Sequence, residues 1–193
     1  MKKAAIQLFF AVLGIFLGAL WANRAIQTTE KNETLVLQNG TWRYFASMDL
    51  AESDLQRAFI GRIGLFALND SEAIYFIANE DDDGQPLRST DQYIIEGSSY
   101  DADYWSLALY GEDHFLLANN EKRYAYNQTS ISYKDSLRSS YTIHLGGKSV
   151  HQENYLPTTG DQNITLLLRL YQPSKELYSN KGKINLPRIK KID

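Results

Sequence analysis

The segment YWSLALY, residues 104–110, decides the fold. Its large apolar side chains, Trp105, Leu107 and Leu109, fall on one face of an extended chain, because successive side chains of a β-strand point to opposite faces. The even-numbered residues of the segment fall on the other face. This period of two predicts a strand with one face in a hydrophobic core.

Comparable segments recur on both sides of this one. Five are short and rich in β-branched or aromatic residues: Ala73–Ala78, Gln92–Glu96, His114–Ala118, Tyr141–Leu145 and Ile164–Tyr171. Turn dipeptides such as Asp83-Gly84 and Gly146-Gly147 separate them. The basic tail after Lys181 interleaves apolar residues and is expected to add an edge strand. The pattern predicts a mainly β fold, an antiparallel jelly-roll-like β-sandwich.

One amphipathic helix is predicted before these strands, over Asp49–Leu65. Asp49 followed three residues later by Glu52 resembles a capping box. Apolar residues then recur at helical spacing as far as Phe66. We expect this helix to pack on the sandwich.

The N-terminal segment is apolar from Ala4 to Ala22 and follows Lys2 and Lys3. As a helix these 19 residues span about 28 Å, close to the thickness of a bilayer's hydrocarbon core. Trp21 stands at the far end, where an indole favours the membrane interface. The segment is interpreted as a transmembrane anchor, with a cleaved signal peptide as the alternative.

The charges around this segment predict its orientation. Lys2 and Lys3 precede it, which places the N-terminus in the cytoplasm and the remaining chain in the periplasm or outside the cell. The expected organisation is an anchor or signal peptide at 1–22, a polar linker at 23–40 and a β-sandwich domain at 41–193.

The amino-acid composition excludes several classes of function. Hydrophobic residues make up 44% of the 193-residue chain and charged residues 22%, as in a globular protein. The net charge of −3 argues against nucleic-acid binding. The absence of cysteine excludes disulfides and thiol chemistry. No phosphate-binding or dinucleotide-binding motif occurs, and we expect no cofactor and no catalytic residue identifiable from a motif.

Two acidic patterns resemble functional sites. The segment Asn79–Gly84 resembles the opening of a calcium loop, but Thr90 stands where the closing Glu is needed, so a solvated turn is expected and no metal. Carboxylate pairs such as Asp101/Asp103 could serve glycoside hydrolysis. The three histidines show no metal-binding spacing.

A series of short motifs lies between about residues 72 and 189: Glu72–Phe76, Asp83–Leu87, Tyr104–Tyr110, Asn119–Tyr124, Asn154–Pro157 and Leu168–Pro173. In this order they resemble the domain-of-unknown-function 1214 family. Two departures occur. The family's Asn-Trp-Leu-Pro has Tyr155 in place of Trp, and its Asp-Gly-Ser is replaced by Arg138-Ser139-Ser140.

The resemblance implies a jelly-roll-like domain, often fused to the domain of unknown function 1254 and also found in short members with an N-terminal membrane segment. It implies no established activity. The residues that match the family's polar and aromatic positions are the candidate ligand-binding residues: Tyr93, Trp105, Arg123, Tyr124, Asn154, Arg169 and Tyr171.

Arg169 has independent support, because it interrupts an apolar run, LLLRL, typical of a central strand. A cation there must be paired, stacked on a ring or directed into a pocket. The structural alternative is an arginine that binds a loop carbonyl or an acidic turn, for example at Asp135 or Glu153.

Three functions follow as expectations. The first is a membrane-anchored envelope domain that binds a small molecule, a glycan or a protein partner. The second is a hydrolase that uses carboxylates in a cleft of the sandwich. The third is a structural or assembly role in the envelope.

Overall fold

The structure is a computed structural model that describes residues 2–29, 36–47, 54–62, 65, 68–137, 139–146 and 153–192. In these ranges the chain forms a long N-terminal helix and ten strands, which confirms the mainly β class. The helices are α1 Lys2–Thr29, α2 Asp54–Arg62 and α3 Lys175–Ser179, the last followed by a 3-10 turn, Lys181–Lys183. The strands are β1 Val36–Asn39, β2 Trp42–Phe45, β3 Ala73–Ala78, β4 Gln92–Gly97, β5 Ala102–Gly111, β6 Ala125–Asn127, β7 Tyr141–Gly146, β8 Tyr155–Pro157, β9 Ile164–Pro173 and β10 Arg188–Ile192.

The strands form two sheets. One has six strands in the order β1-β2-β3-β9-β5-β6, and the other has four in the order β10-β4-β7-β8. All pairings between named strands are antiparallel except that of β7 with β8. As expected, β9 lies inside its sheet, between β3 and β5, and the tail supplies the edge strand β10.

The prediction of a strand at His114–Ala118 is wrong. This segment makes only an isolated bridge between Leu116 and Tyr110, and His114 has a positive φ of 64°. The cause is local, because the Asp113 carboxylate accepts a hydrogen bond from the Phe115 amide and holds a turn. The Phe115 side chain is 74% exposed.

The hydrophobic core lies between the two sheets. Trp105, Leu107 and Leu109 are all buried there, as their alternation predicts. The rings of Trp105 and Tyr141 stack with centroids 5.0 Å apart and an angle of 18° between their planes. This stack therefore joins β5 of the six-stranded sheet to β7 of the four-stranded sheet.

A smaller apolar cluster covers part of the outer face of the six-stranded sheet. Ile60 of α2 and Leu65 are buried with Tyr75 of β3 and Leu167 of β9. The expected helix therefore packs on this sheet. Its described part is shorter than predicted, and the proposed cap at residues 49–52 lies outside the described residues.

Helix α1 extends to Thr29, beyond the predicted apolar segment, and its apolar side chains are exposed. Within the described ranges it is the one helix long and apolar enough to cross a membrane, a test that a signal sequence also passes. The side-chain oxygen of Asn23 in α1 accepts a hydrogen bond of 2.5 Å from Arg62 at the end of α2. The end of the segment interpreted as linker forms β1, which pairs with β2.

Candidate functional site

The outer face of the six-stranded sheet carries a broad groove over β5, β6 and β9. Tyr104, Ser106, Tyr110 and Arg169 lie on its floor. These residues share one face because β5 pairs with β9 in a register that places Ser106 opposite Arg169. The loop after residue 119 forms one wall.

Arg169 is the central cation of this groove. Its Nη2 atom donates a hydrogen bond of 2.6 Å to the hydroxyl oxygen of Tyr110, and its Cζ lies 5.5 Å from the centre of that ring. Its side chain is half-buried and forms no ion pair with any described residue. Neither of the acidic residues expected as partners of Arg169 forms an ion pair with it. The Asp135 carboxylate accepts hydrogen bonds from Ser139 and Ser140, and Glu153 is exposed.

Arg123 lines the same groove but is held by neighbouring groups. Its Nη1 atom donates to the backbone oxygen of Tyr155 at 3.1 Å and lies 3.7 Å from a carboxylate oxygen of Glu121. Lys122 beside it is exposed and has a positive φ of 52°. Arg123 therefore ties the loop to β8, whereas Arg169 and Lys122 leave positive charge for a ligand.

A second, apolar cavity of about 90 Å³ adjoins the groove on the same face. Tyr110 lines both. The apolar lining comes from Val36, Phe45, Leu65, Ile77 and Leu167, and Arg43 and His114 also contribute to its wall. The outer face thus combines a cationic groove with an apolar recess.

The structure brings together three of the seven candidate residues, Arg123, Tyr124 and Arg169, in the groove. Tyr171 lies next to it on the same face, with its ring tilted at 46° against that of Tyr104, 5.9 Å away between centroids. These four therefore remain candidates for ligand binding.

The other three candidates are buried in the interior. Trp105 is stacked in the core. The hydroxyl oxygen of Tyr93 accepts a hydrogen bond of 2.9 Å from the backbone amide of Arg88, and burial raises the pKa of this phenol. Asn154 donates to the backbone oxygens of Ser132 and Thr142. Each of these contacts stabilises the fold.

In the acidic turn at 79–84, two carboxylates accept hydrogen bonds from backbone amides of the protein itself. Asp81 accepts hydrogen bonds from the amides of Asp83 and Gln85, and Asp82 accepts one from the amide of Ile189. In the part of the chain that the structure describes, no three His, Asp or Glu side chains are grouped as metal ligands.

Sequence reasoning missed Tyr110, Lys122 and Arg43. The signal for Tyr110 was present, because in β5 it shares the parity of Tyr104 and so the same face. Arg43 lies on β2, in a range for which no strand was predicted. Lys122 belongs to a loop, whose path alternation does not predict.

The fold and the groove define a class: a two-sheet β domain that follows an apolar helix and carries a cationic, tyrosine-rich outer face. The chain belongs to the family described as protein of unknown function DUF1214, whose model matches residues 72–175, more than half of its length. This confirms the resemblance found in the sequence.

Two solved structures match this chain, and the first is similar in fold. The VPA0106 protein from Vibrio parahaemolyticus matches 72% of this chain with a TM-score of 0.59 and 23% identity, and this chain covers 35% of that protein. An uncharacterised protein from Burkholderia cenocepacia matches 91% with a TM-score of 0.45 and 16% identity, and 41% of it is covered. The chain thus spans well under half of either protein. No curated protein matches it.

Proposed function

We propose that this protein is a membrane-anchored binding domain of the cell envelope, with a ligand site on the outer face of the six-stranded sheet. The ligand carries an anionic group that Arg169 binds. The observation that carries this proposal is a half-buried guanidinium at the centre of a sheet face that forms no ion pair with any described residue.

The chemistry of the groove supports an anionic ligand. A guanidinium presents several N–H donors in one plane, which suits carboxylate or phosphate oxygens. Tyr110 uses its hydroxyl to accept one of these donors and so fixes the group's direction. The phenols of Tyr104, Tyr124 and Tyr171 around it add aromatic surface and hydroxyl groups of the kind found in ligand sites.

The charges at the N-terminus support the orientation. With Lys2 and Lys3 on the cytoplasmic side, α1 would carry the β domain to the periplasmic or outer side. Alkaline phosphatase fused after Asp193 is then active, whereas a cytoplasmic reporter fused there is silent. The opposite pattern would contradict this orientation.

Thermal unfolding of the full chain in lipid nanodiscs tests the site. Acetate replaces chloride at constant ionic strength, and unfolding is followed by the fluorescence of the buried Trp42 and Trp105. Because a ligand of the native state raises Tm, acetate should raise Tm of the wild type and of Arg188→Gln, an exposed arginine on the other sheet. It should raise that of Arg169→Gln less.

An equal rise in all three proteins would contradict the proposal. A second variant covers the case in which Arg169→Gln does not fold. Ser106→Glu places a carboxylate directly opposite Arg169 in the β5–β9 register, within reach of the guanidinium. This variant should fold and lose the acetate effect, and retention of the effect would also contradict the proposal.

A further inference from the structure

The groove and the apolar cavity are neighbours on one sheet face, because Tyr110 forms part of the lining of each. Its hydroxyl contacts Arg169 on the groove side. On the cavity side the recess is walled by side chains of β2, β3 and β9, chiefly Phe45, Ile77 and Leu167. A single ligand could therefore contact the cation with one end and the recess with the other.

The volume of the recess limits what it can hold. About 90 Å³ is somewhat smaller than an apolar cavity of roughly 150 Å³ that admits one benzene ring. It suits a short length of alkyl chain. Arg43 at its wall forms no ion pair with any residue that the structure describes, so both cations near the recess favour a negative group.

Two features favour a position of this face near the membrane that α1 is proposed to cross. Helix α2 contacts α1 through Arg62 and Asn23, the residue that directly follows the apolar segment. Its Ile60 is buried in the same cluster as Leu65, which lines the recess. The turn at 112–116 borders both openings, since His114 lines the recess and Leu116 lines the groove. Between them Phe115 is 74% exposed, as expected of a side chain that enters a lipid surface.

We infer that the ligand is a single-chain anionic amphiphile drawn from the membrane, with its alkyl chain in the recess lined by Leu167 and its carboxylate on Arg169. This inference rests on the proposed anion site and specifies the class of ligand. The apolar part supplies affinity that acetate lacks, and the carboxylate supplies selectivity against neutral lipids.

Three probes separate the contributions: octanoate, which has both parts, acetate, which has only the carboxylate, and octanol, which has only the chain. Each is titrated into the full chain in nanodiscs by calorimetry, with the heat of empty nanodiscs subtracted. Octanoate should bind at least about tenfold more tightly than acetate, since burial of two methylene groups is worth that factor.

Variants of the protein test where the alkyl chain and the carboxylate of the probe bind. Thr165→Phe fills the recess from the half-buried position 165 of β9 and should remove the advantage of octanoate over acetate. Thr90→Phe, the same change at an exposed turn, should leave it intact. Arg169→Gln should weaken octanoate and acetate but not octanol, whereas Arg188→Gln should change none of them.

The outcomes distinguish the two proposals. Octanoate that binds no more tightly than acetate, with both still dependent on Arg169, would overturn the amphiphile and leave the anion site standing. An octanoate advantage that survives Thr165→Phe would also overturn the placement of the chain. If Arg169→Gln binds all three probes as tightly as the wild type does, the anion site is overturned as well.

Discussion

The hydroxyl oxygen of Tyr110 accepts a hydrogen bond from Nη2 of Arg169 at 2.6 Å, although the two residues are 59 positions apart in the chain. They lie on the adjacent strands β5 and β9, where Arg169 is directly opposite Ser106 and Tyr110 is opposite Thr165. The guanidinium therefore extends along the sheet towards Tyr110. This contact directs the charge to the boundary between the groove and the apolar recess.

The first prediction concerns this contact. Tyr110→Phe removes the acceptor and should weaken acetate binding several-fold, because the guanidinium loses its fixed direction. The free energy of unfolding should fall by no more than about 1 kcal/mol, the usual net value of one hydrogen bond. Tyr178→Phe, at a half-buried tyrosine within α3, is the control that should leave acetate binding unchanged. Equal acetate affinity in Tyr110→Phe and wild type would show that Tyr110 does not position Arg169.

The longer strands β3, β4, β5, β7 and β9 could be predicted from the sequence to within a few residues, because their apolar residues alternate with a period of two. No strand was predicted at β1, β2, β6 or β8, since three or four residues are too few to show that alternation. Ala73–Ala78 matches β3 at both ends, and Ile164–Tyr171 falls two residues short of β9. Alternation also placed Trp105 in the core. It failed at His114–Ala118, where a side-chain hydrogen bond from the turn replaces sheet pairing.

The site was predicted less well, because residue type does not reveal which face a residue occupies across different strands. Tyr93 and Trp105 are aromatic like Tyr171, yet they point between the sheets, whereas Tyr171 lies on the outer face. Asn154 is polar, but its side chain donates hydrogen bonds to backbone oxygens inside the fold. The role of Arg169 stays a prediction, which rests on the specific environment that a cation in an apolar central strand needs.

The second prediction concerns Asn154, which is 4% exposed. Its side chain accepts from the amide of Ser132 and donates to the oxygens of Ser132 and Thr142, so that Asn154→Ala leaves three backbone groups without these bonds. We expect a loss of about 3 kcal/mol in the free energy of unfolding, measured by denaturant titration. Asn120→Ala, at an exposed turn, should change it by less than about 0.5 kcal/mol. A loss below 1 kcal/mol at Asn154 would show that water replaces its contacts.

The third prediction concerns the buried ion pair between Lys181 and Asp70, whose Nζ and Oδ2 atoms are 2.6 Å apart. It joins the 3-10 turn to the segment before β3. Lys181→Met leaves the Asp70 carboxylate buried without this cation and should cost about 3–5 kcal/mol in unfolding experiments. Lys183→Met, on the same turn but exposed, is the matched control and should be nearly neutral. Similar stabilities of the two variants would contradict a structural role for the pair.

The fourth prediction concerns His144 on β7. Burial, and then the positive charge of Lys134, hold the pKa of this imidazole below its ordinary 6.5. The unfolded chain therefore binds a proton at a higher pH than the folded one, and the folded state loses stability as the pH falls below about 6.5. Unfolding of His144→Gln between pH 7.5 and 5 should show a smaller loss of stability than the wild type. Parallel pH profiles would show that His144 titrates alike in both states.

Nuclear magnetic resonance can observe anion binding at the Arg169 guanidinium itself. Side-chain nitrogen resonances of ¹⁵N-arginine-labelled full chain in nanodiscs are recorded during an acetate titration at constant ionic strength, and Arg169→Gln and Arg188→Gln assign the two relevant signals. We expect a saturable shift of the Arg169 signal, whereas the signal of Arg188, an exposed residue on β10, stays in place. An Arg169 signal that moves no more than that of Arg188 would contradict an anion site on this face.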